Sequence, residues 1–193
     1  MARTAFWIIT LAGLSPLYLR LFDSRHRRPF VAWSRWVILI RFAELTTVFL
    51  FLAVMVGRHW DFPLTRFSAA AAAAGLILAA WGAFLTSWAK IRLGAQFSTT
   101  LGVKQGHQLI SAGPYAWVRH PIYTGLLLVL LGGALVYNSG AVLVLLAAPF
   151  CCFFYCQSAV EEKLLLAHFG DEYRRYRART GRLLPRIRVR SSG

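Results

Sequence analysis

A chain of 193 residues that is 58% hydrophobic and only 15% charged carries more apolar surface than a soluble domain of that size can bury, which excludes a soluble globular fold. Its charge is lopsided, with 22 Lys and Arg against 7 Asp and Glu and a formal net charge of +15. The basic residues stand between apolar runs and are not interleaved with exposed aromatics, so they point to an anionic membrane surface and exclude nucleic acid as the partner.

A bilayer core of about 30 Å takes about 20 apolar residues per helix, and five such stretches follow one another along the chain. The first runs from Thr4 to Phe22 and includes Pro16; no small-residue cleavage site follows, so it is expected to remain as an anchor. The second runs from Arg35 to Gly57. It holds Arg41 and Glu44, ionisable residues inside a membrane helix, which either line a lipid entrance or pair with one another. The third runs from Ser68 to Ala89 and opens on the alanines 69–74, a composition suited to close helix packing. The fourth, Pro121 to Tyr137, and the fifth, Gly140 to Val160, are separated by Asn138 and Ser139 alone, which predicts an antiparallel helical hairpin. Cys151, Cys152 and Cys156 all lie in the fifth stretch without spaced partners, and read as small apolar residues rather than metal ligands.

The fold class expected is therefore an all-α integral membrane protein of five transmembrane helices with a cytoplasmic loop between the third and fourth and a C-terminal amphipathic helix. It forms one membrane domain over residues 1–193, with three helices in 1–92 and the loop, hairpin and tail in 93–193. Orientation follows from the basic residues. With the N-terminus outside, 18 of the 22 fall in cytoplasmic segments and only Arg3, Arg58 and Arg66 outside, which puts the C-terminus in the cytoplasm.

Two cytoplasmic segments then hold the chemistry. In GHQLISAGPYAWVRHPIY, Gly106, Gly113 and Pro114 break regular structure, and Pro121 stands where the fourth helix begins. Arg119 and His120 thus fall at a helix N-terminus, which attracts an anionic group; alternatively, Arg119 binds lipid phosphate and His120 caps the helix. In EEKLLLAHFGDEYRRYRARTGRLLP, Glu161 and Glu162 sit at the membrane boundary, where a carboxylate needs a cationic partner. That partner is a nearby arginine or the amino or hydroxyl groups of a ligand. Beyond them Leu164, Leu165, His168, Phe169, Tyr173 and Tyr176 form an apolar and aromatic stripe, with Arg174, Arg175, Arg177 and Arg179 between. That is the pattern of a helix lying on an anionic leaflet.

The first motif, extended to GHQLISAGPYAWVRHPIYTG, with EE some forty residues later and then FGDEYRRYRARTGRLLP, resembles the isoprenylcysteine carboxyl methyltransferases and the related phospholipid N-methyltransferases over roughly Phe97 to Pro185. The resemblance implies a membrane enzyme that uses S-adenosylmethionine and methylates a membrane lipid or a prenylated or other lipophilic small molecule. It implies cofactor contacts at His107, Gln108, Leu109, Ile110, Tyr115, His120, Pro121, Ile122, Tyr123 and Glu161, with Arg119 and Glu162 adjoining. The sequence departs from the family at Gln157, where the prenylcysteine enzymes carry an arginine for the substrate carboxylate, and at Gly102, where a polar cofactor contact is expected. Arg119, Gln157 and Glu44 are the candidates for catalysis, Glu44 as the base an amine acceptor would need. The alternative from another class is a non-catalytic scaffold or small transporter, although neither internal repeats nor broken helices occur.

Overall fold

The computed structural model describes residues 3–5, 8–10, 68–94, 108–136 and 147–186, and these are almost wholly helical. Nearly all of the first two expected spans, with Arg41 and Glu44, lie outside the described residues, as do Gly102, His107 and the Asn138–Ser139 connection.

Helix α1, Ala69–Leu93, begins because the Ser68 hydroxyl accepts the Ala71 N–H at 3.3 Å, and ends at Gly94 in a left-handed conformation with φ 51°. Among the described residues it is the one helix long and apolar enough to cross a membrane. Helix α2, Pro121–Val136, is apolar and shorter, with proline at its first position. The two run antiparallel in close contact, and two glycine pairs bring them together. A Cβ on Gly75 would meet Gly132 O at 2.6 Å, and one on Gly82 would meet Gly125 O at 2.4 Å. Ala79 and Val129 fill the space between these crossings, and Ala83 adjoins the second. The close packing expected of the alanines thus falls elsewhere. Residues 69, 70, 73 and 74 are exposed, and the tight face begins at Gly75, because only a residue without a Cβ lets the backbones approach this far.

Helix α3, Ala148–Phe169, runs on without a break past the end of the apolar stretch at Val160 and through Glu161 and Glu162. Hydropathy marks where the apolar residues stop, but nothing from Cys151 to Phe169 interrupts a helix. The stop is Gly170, at φ 51°. Helix α4, Asp171–Arg179, follows at once, with Asp171 and Glu172 in its first turn and Arg177 and Arg179 in its last, both favourable to the helix dipole.

The amphipathic tail is present, but its apolar face is not offered to lipid. Tyr173 and Tyr176 are 0% and 4% exposed, turned into the protein, while the arginines at 174, 175, 177 and 179 face out. This corrects the reading of the stripe at its two tyrosines, which α4 uses to dock on the loop before α2, while Leu164, Leu165 and Phe169 on α3 are half-buried and His168 is exposed.

Candidate functional site

The loop between α1 and α2 is shaped by a short 3-10 turn, Gly113–Ala116, where Gly113 has φ 65° and the Trp117 and Val118 N–H groups both donate to Pro114 O. Tyr115 is buried there, and the Tyr176 hydroxyl donates to its carbonyl at 2.7 Å. From Val118 onward the loop runs beside the segment after α4. Val118 and Gly181 form a parallel bridge, the Arg119 N–H donates to Gly181 O at 2.8 Å, and the His120 N–H donates to Arg182 O at 3.1 Å. The Thr124 hydroxyl continues the seam onto Leu183 O at 2.7 Å. Gly181 is required in this seam, since a Cβ there would lie 1.7 Å from Leu184 O.

This seam alters the reading of Arg119 and His120 as an anion site. Their backbone N–H groups are already used by the tail. The Arg119 guanidinium is used as well: Nε donates to Glu162 Oε1 at 2.8 Å, and Nη1 donates to Arg177 O and Thr180 O.

Glu162 is the centre of the cluster. It is 4% exposed and receives Arg119, both Nε and Nη2 of Arg182 at 3.1 and 3.0 Å, and more distantly Arg177 at 3.9 Å. Burial by itself would raise its pKa. The nearby His120 ring and the hydrogen bonds from Arg182 and Arg119 outweigh that and hold the carboxyl well below the usual range.

Glu161, its neighbour in sequence, is held differently. The Tyr123 hydroxyl and Gln157 Nε2, the latter at 3.3 Å, donate to Oε1, and His120 Nδ1 stands 3.3 Å from Oε2. That fills three of a carboxylate's roughly four acceptor positions, and the side chain is 28% exposed. His120 lies between the two acids, with Nε2 3.5 Å from Glu162 Oε1 and without a hydrogen-bond partner there. Burial would lower the imidazole pKa, but the two carboxylates prevail and raise it above 6.5. The ring stacks on Tyr123, and Tyr123 stacks on Phe154 with centroids 4.9 Å apart.

Of the residues singled out from sequence, the structure thus brings together Arg119, His120, Tyr123, Gln157, Glu161 and Glu162. Pro121 and Ile122 open α2 beside them and Tyr115 lies under the loop. Gln108 is exposed and Leu109 and Ile110 half-buried in irregular chain leading to the 3-10 turn. Sequence reasoning missed Arg182, Thr124 and the tail carbonyls. The signal for them was the GRLLP run, a glycine at a chain crossing followed by a proline stop.

A model of the phospholipid methyltransferase family matches residues 70–172, more than half of the chain, covering α1 from its second residue, the loop, α2 and α3. The chain belongs to that family. Among its relatives, the protein-S-isoprenylcysteine O-methyltransferase of Schizosaccharomyces pombe is 32% identical over 108 residues, 55% of this chain and 46% of that protein. Methanethiol S-methyltransferase 1 of Bradyrhizobium diazoefficiens is 41% identical over 71 residues, 37% of this chain and 24% of that protein. The chain therefore spans less than half the length of these relatives. The solved structure of the eukaryotic intramembrane Ras methyltransferase, isoprenylcysteine carboxyl methyltransferase, superposes with a TM-score of 0.57 at 23% identity, covering 81% of this chain and 55% of that one. That shows that the phospholipid methyltransferase family member described here shares its helical fold.

Proposed function

We propose that this chain is a membrane-embedded, S-adenosylmethionine-dependent methyltransferase acting on a lipophilic acceptor, with its site on the cytoplasmic side. The observation that carries this reading is the unequal use of two adjacent carboxylates. Glu162 is saturated by guanidinium groups and locks loop to tail, whereas Glu161 keeps an open acceptor position on a partly exposed side chain. The residues fit the cofactor's chemistry: Glu161 would hold its ammonium group, the positive end of α2, which opens at Pro121, would favour its carboxylate, and the loop at Leu109, Ile110 and Tyr115 would cover its apolar part. Bound there, S-adenosylmethionine supplies an electrophilic methyl group, and holding a nucleophile in line with it is most of what catalysis requires. Both named relatives are methyltransferases, one of a prenylcysteine and one of a thiol, which supports a sulfur-bearing or lipophilic acceptor.

Thermal unfolding in detergent tests the reading, because a ligand of the folded state raises its stability. S-adenosylhomocysteine at millimolar concentration should raise the midpoint of the wild-type chain and leave that of Glu161→Ala unchanged. Glu162→Ala should instead cost about 3 kcal/mol without any ligand, since it strands the buried Arg119 guanidinium, while the more exposed Arg182 and Arg177 turn to water. A wild-type chain indifferent to the ligand would favour the non-catalytic scaffold.

A further inference from the structure

Gln157 stands one turn before Glu161 on α3 and is 6% exposed. Its Nε2 donates to Glu161, and its Oε1 is buried with no hydrogen-bond partner. The neighbour fixes this orientation, because turning the amide round would set its carbonyl oxygen against a carboxylate. The acceptor atom is thus directed away from Glu161, and a buried carbonyl oxygen without a donor is an unstable arrangement unless something fills it. Phe150, Phe154, Gln157 and Glu161 follow one another at spacings of four, three and four along one face of α3, so the face passes from apolar to polar to charged. The arginines of the site are not directed at Gln157: Arg119, Arg177 and Arg182 all converge on Glu162.

We infer that Gln157 selects a methyl acceptor whose nucleophilic atom carries hydrogen, an amine or a thiol on a lipophilic chain, and disfavours a carboxylate. An N–H or S–H donates to the unpartnered Oε1. A carboxylate brings only acceptors to an acceptor, and a second negative charge beside Glu161. Methylating such a nucleophile forms a carbon–nitrogen or carbon–sulfur bond, leaves the donor's electron pair on a neutral thioether and releases one proton. That proton is lost from the methylated product to water, since Glu161 is already occupied by Tyr123, Gln157, His120 and the cofactor's ammonium group. The inference rests on the methyltransferase reading above.

The test uses the full chain in lipid nanodiscs with three acceptors of equal chain length, decylamine, decanethiol and decanoate. Binding is read by thermal unfolding with and without S-adenosylhomocysteine, and transfer by methyl-labelled S-adenosylmethionine. Decylamine or decanethiol should raise the midpoint and take label at least roughly tenfold faster than decanoate, the ratio one good hydrogen bond provides; which of the two does so identifies the nucleophile. Gln157→Arg should turn the preference toward decanoate, and Gln157→Leu should abolish it. Stabilisation by S-adenosylhomocysteine together with a wild-type preference for decanoate overturns the inference alone. No stabilisation by S-adenosylhomocysteine overturns the methyltransferase reading and the inference with it. The wild-type comparison decides the matter even if neither variant folds.

Discussion

His120 is the residue through which the site should respond to pH. Its ring is 6% exposed between two carboxylates, Nδ1 3.3 Å from Glu161 and Nε2 3.5 Å from Glu162. Burial opposes its proton, and the close approach and charges of the two acids more than restore it, so the folded-state pKa lies above the ordinary 6.5. A group with a raised folded pKa contributes stability that is fully present below its unfolded pKa and disappears as pH climbs through the folded one. Glu162 behaves in the opposite sense. Its lowered pKa gives stability present above the ordinary 4.5 and lost only in stronger acid. The ligand-free protein should therefore be most stable between roughly pH 4.5 and 6.5 and weaken as pH rises beyond that window. Unfolding midpoints measured from pH 5 to pH 9 check this, and His120→Gln should flatten the alkaline limb. A wild-type curve that rises with pH above 6.5 would show that the imidazole is neutral in the fold.

At the scale of helices, the decisive contacts are those of the glycines between α1 and α2. Gly82→Ala would place a methyl 2.4 Å from Gly125 O, and Gly125→Ala one 2.2 Å from Thr86 Oγ1. Both obstacles belong to the facing helix, so the helices must separate, and overpacking of this kind costs about 1–3 kcal/mol. Ala80→Gly, at an exposed position of α1, should by comparison cost no more than the roughly 1 kcal/mol of helix propensity. Unfolding midpoints of the three variants give the ranking, and equal losses would mean that the crossing is looser than described. The seven-residue spacing from Gly75 to Gly82, and from Gly125 to Gly132, is visible in the sequence. Which helix each pair meets is not, and the alanine run next to Gly75 drew attention by composition alone. The end of α3 was obscured for a different reason, since periodicity and hydropathy report what surrounds a helix and not where its hydrogen bonds stop. The candidate site was legible as far as its residue types went: His120, Tyr123, Gln157, Glu161 and Glu162 were all singled out, and they converge. The division of work between the two acids was not, because it depends on Arg182 and on carbonyls about sixty residues from Arg119, which only the folded seam brings into reach.

For the whole molecule, charge and site make a joint claim about orientation. The loop before α2, the end of α3 and all of α4 form one assembly through the Val118–Gly181 bridge and the Glu162 cluster, so they must lie on the same side of any membrane the chain spans. That assembly contains Arg119, Arg174, Arg175, Arg177, Arg179, Arg182 and Arg186, and the outward arginines of α4 are well suited to an anionic leaflet. Basic residues near the ends of spans are retained on the cytoplasmic side. If the chain crosses five times as the hydropathy predicts, the residues around Asn138 are expected outside and the tail inside. Cysteines introduced singly at Asn138 and Ser191 check this, in a background where Cys151, Cys152 and Cys156 are replaced by alanine because all three are exposed on α3. An impermeant maleimide added to intact cells should label position 138 at once and position 191 only after permeabilisation. The reverse pattern would put the arginine-rich face of α4 and the Glu161 site outside the cell. There the cytoplasmic supply of S-adenosylmethionine could not reach the site, and the proposed chemistry would fail together with the topology.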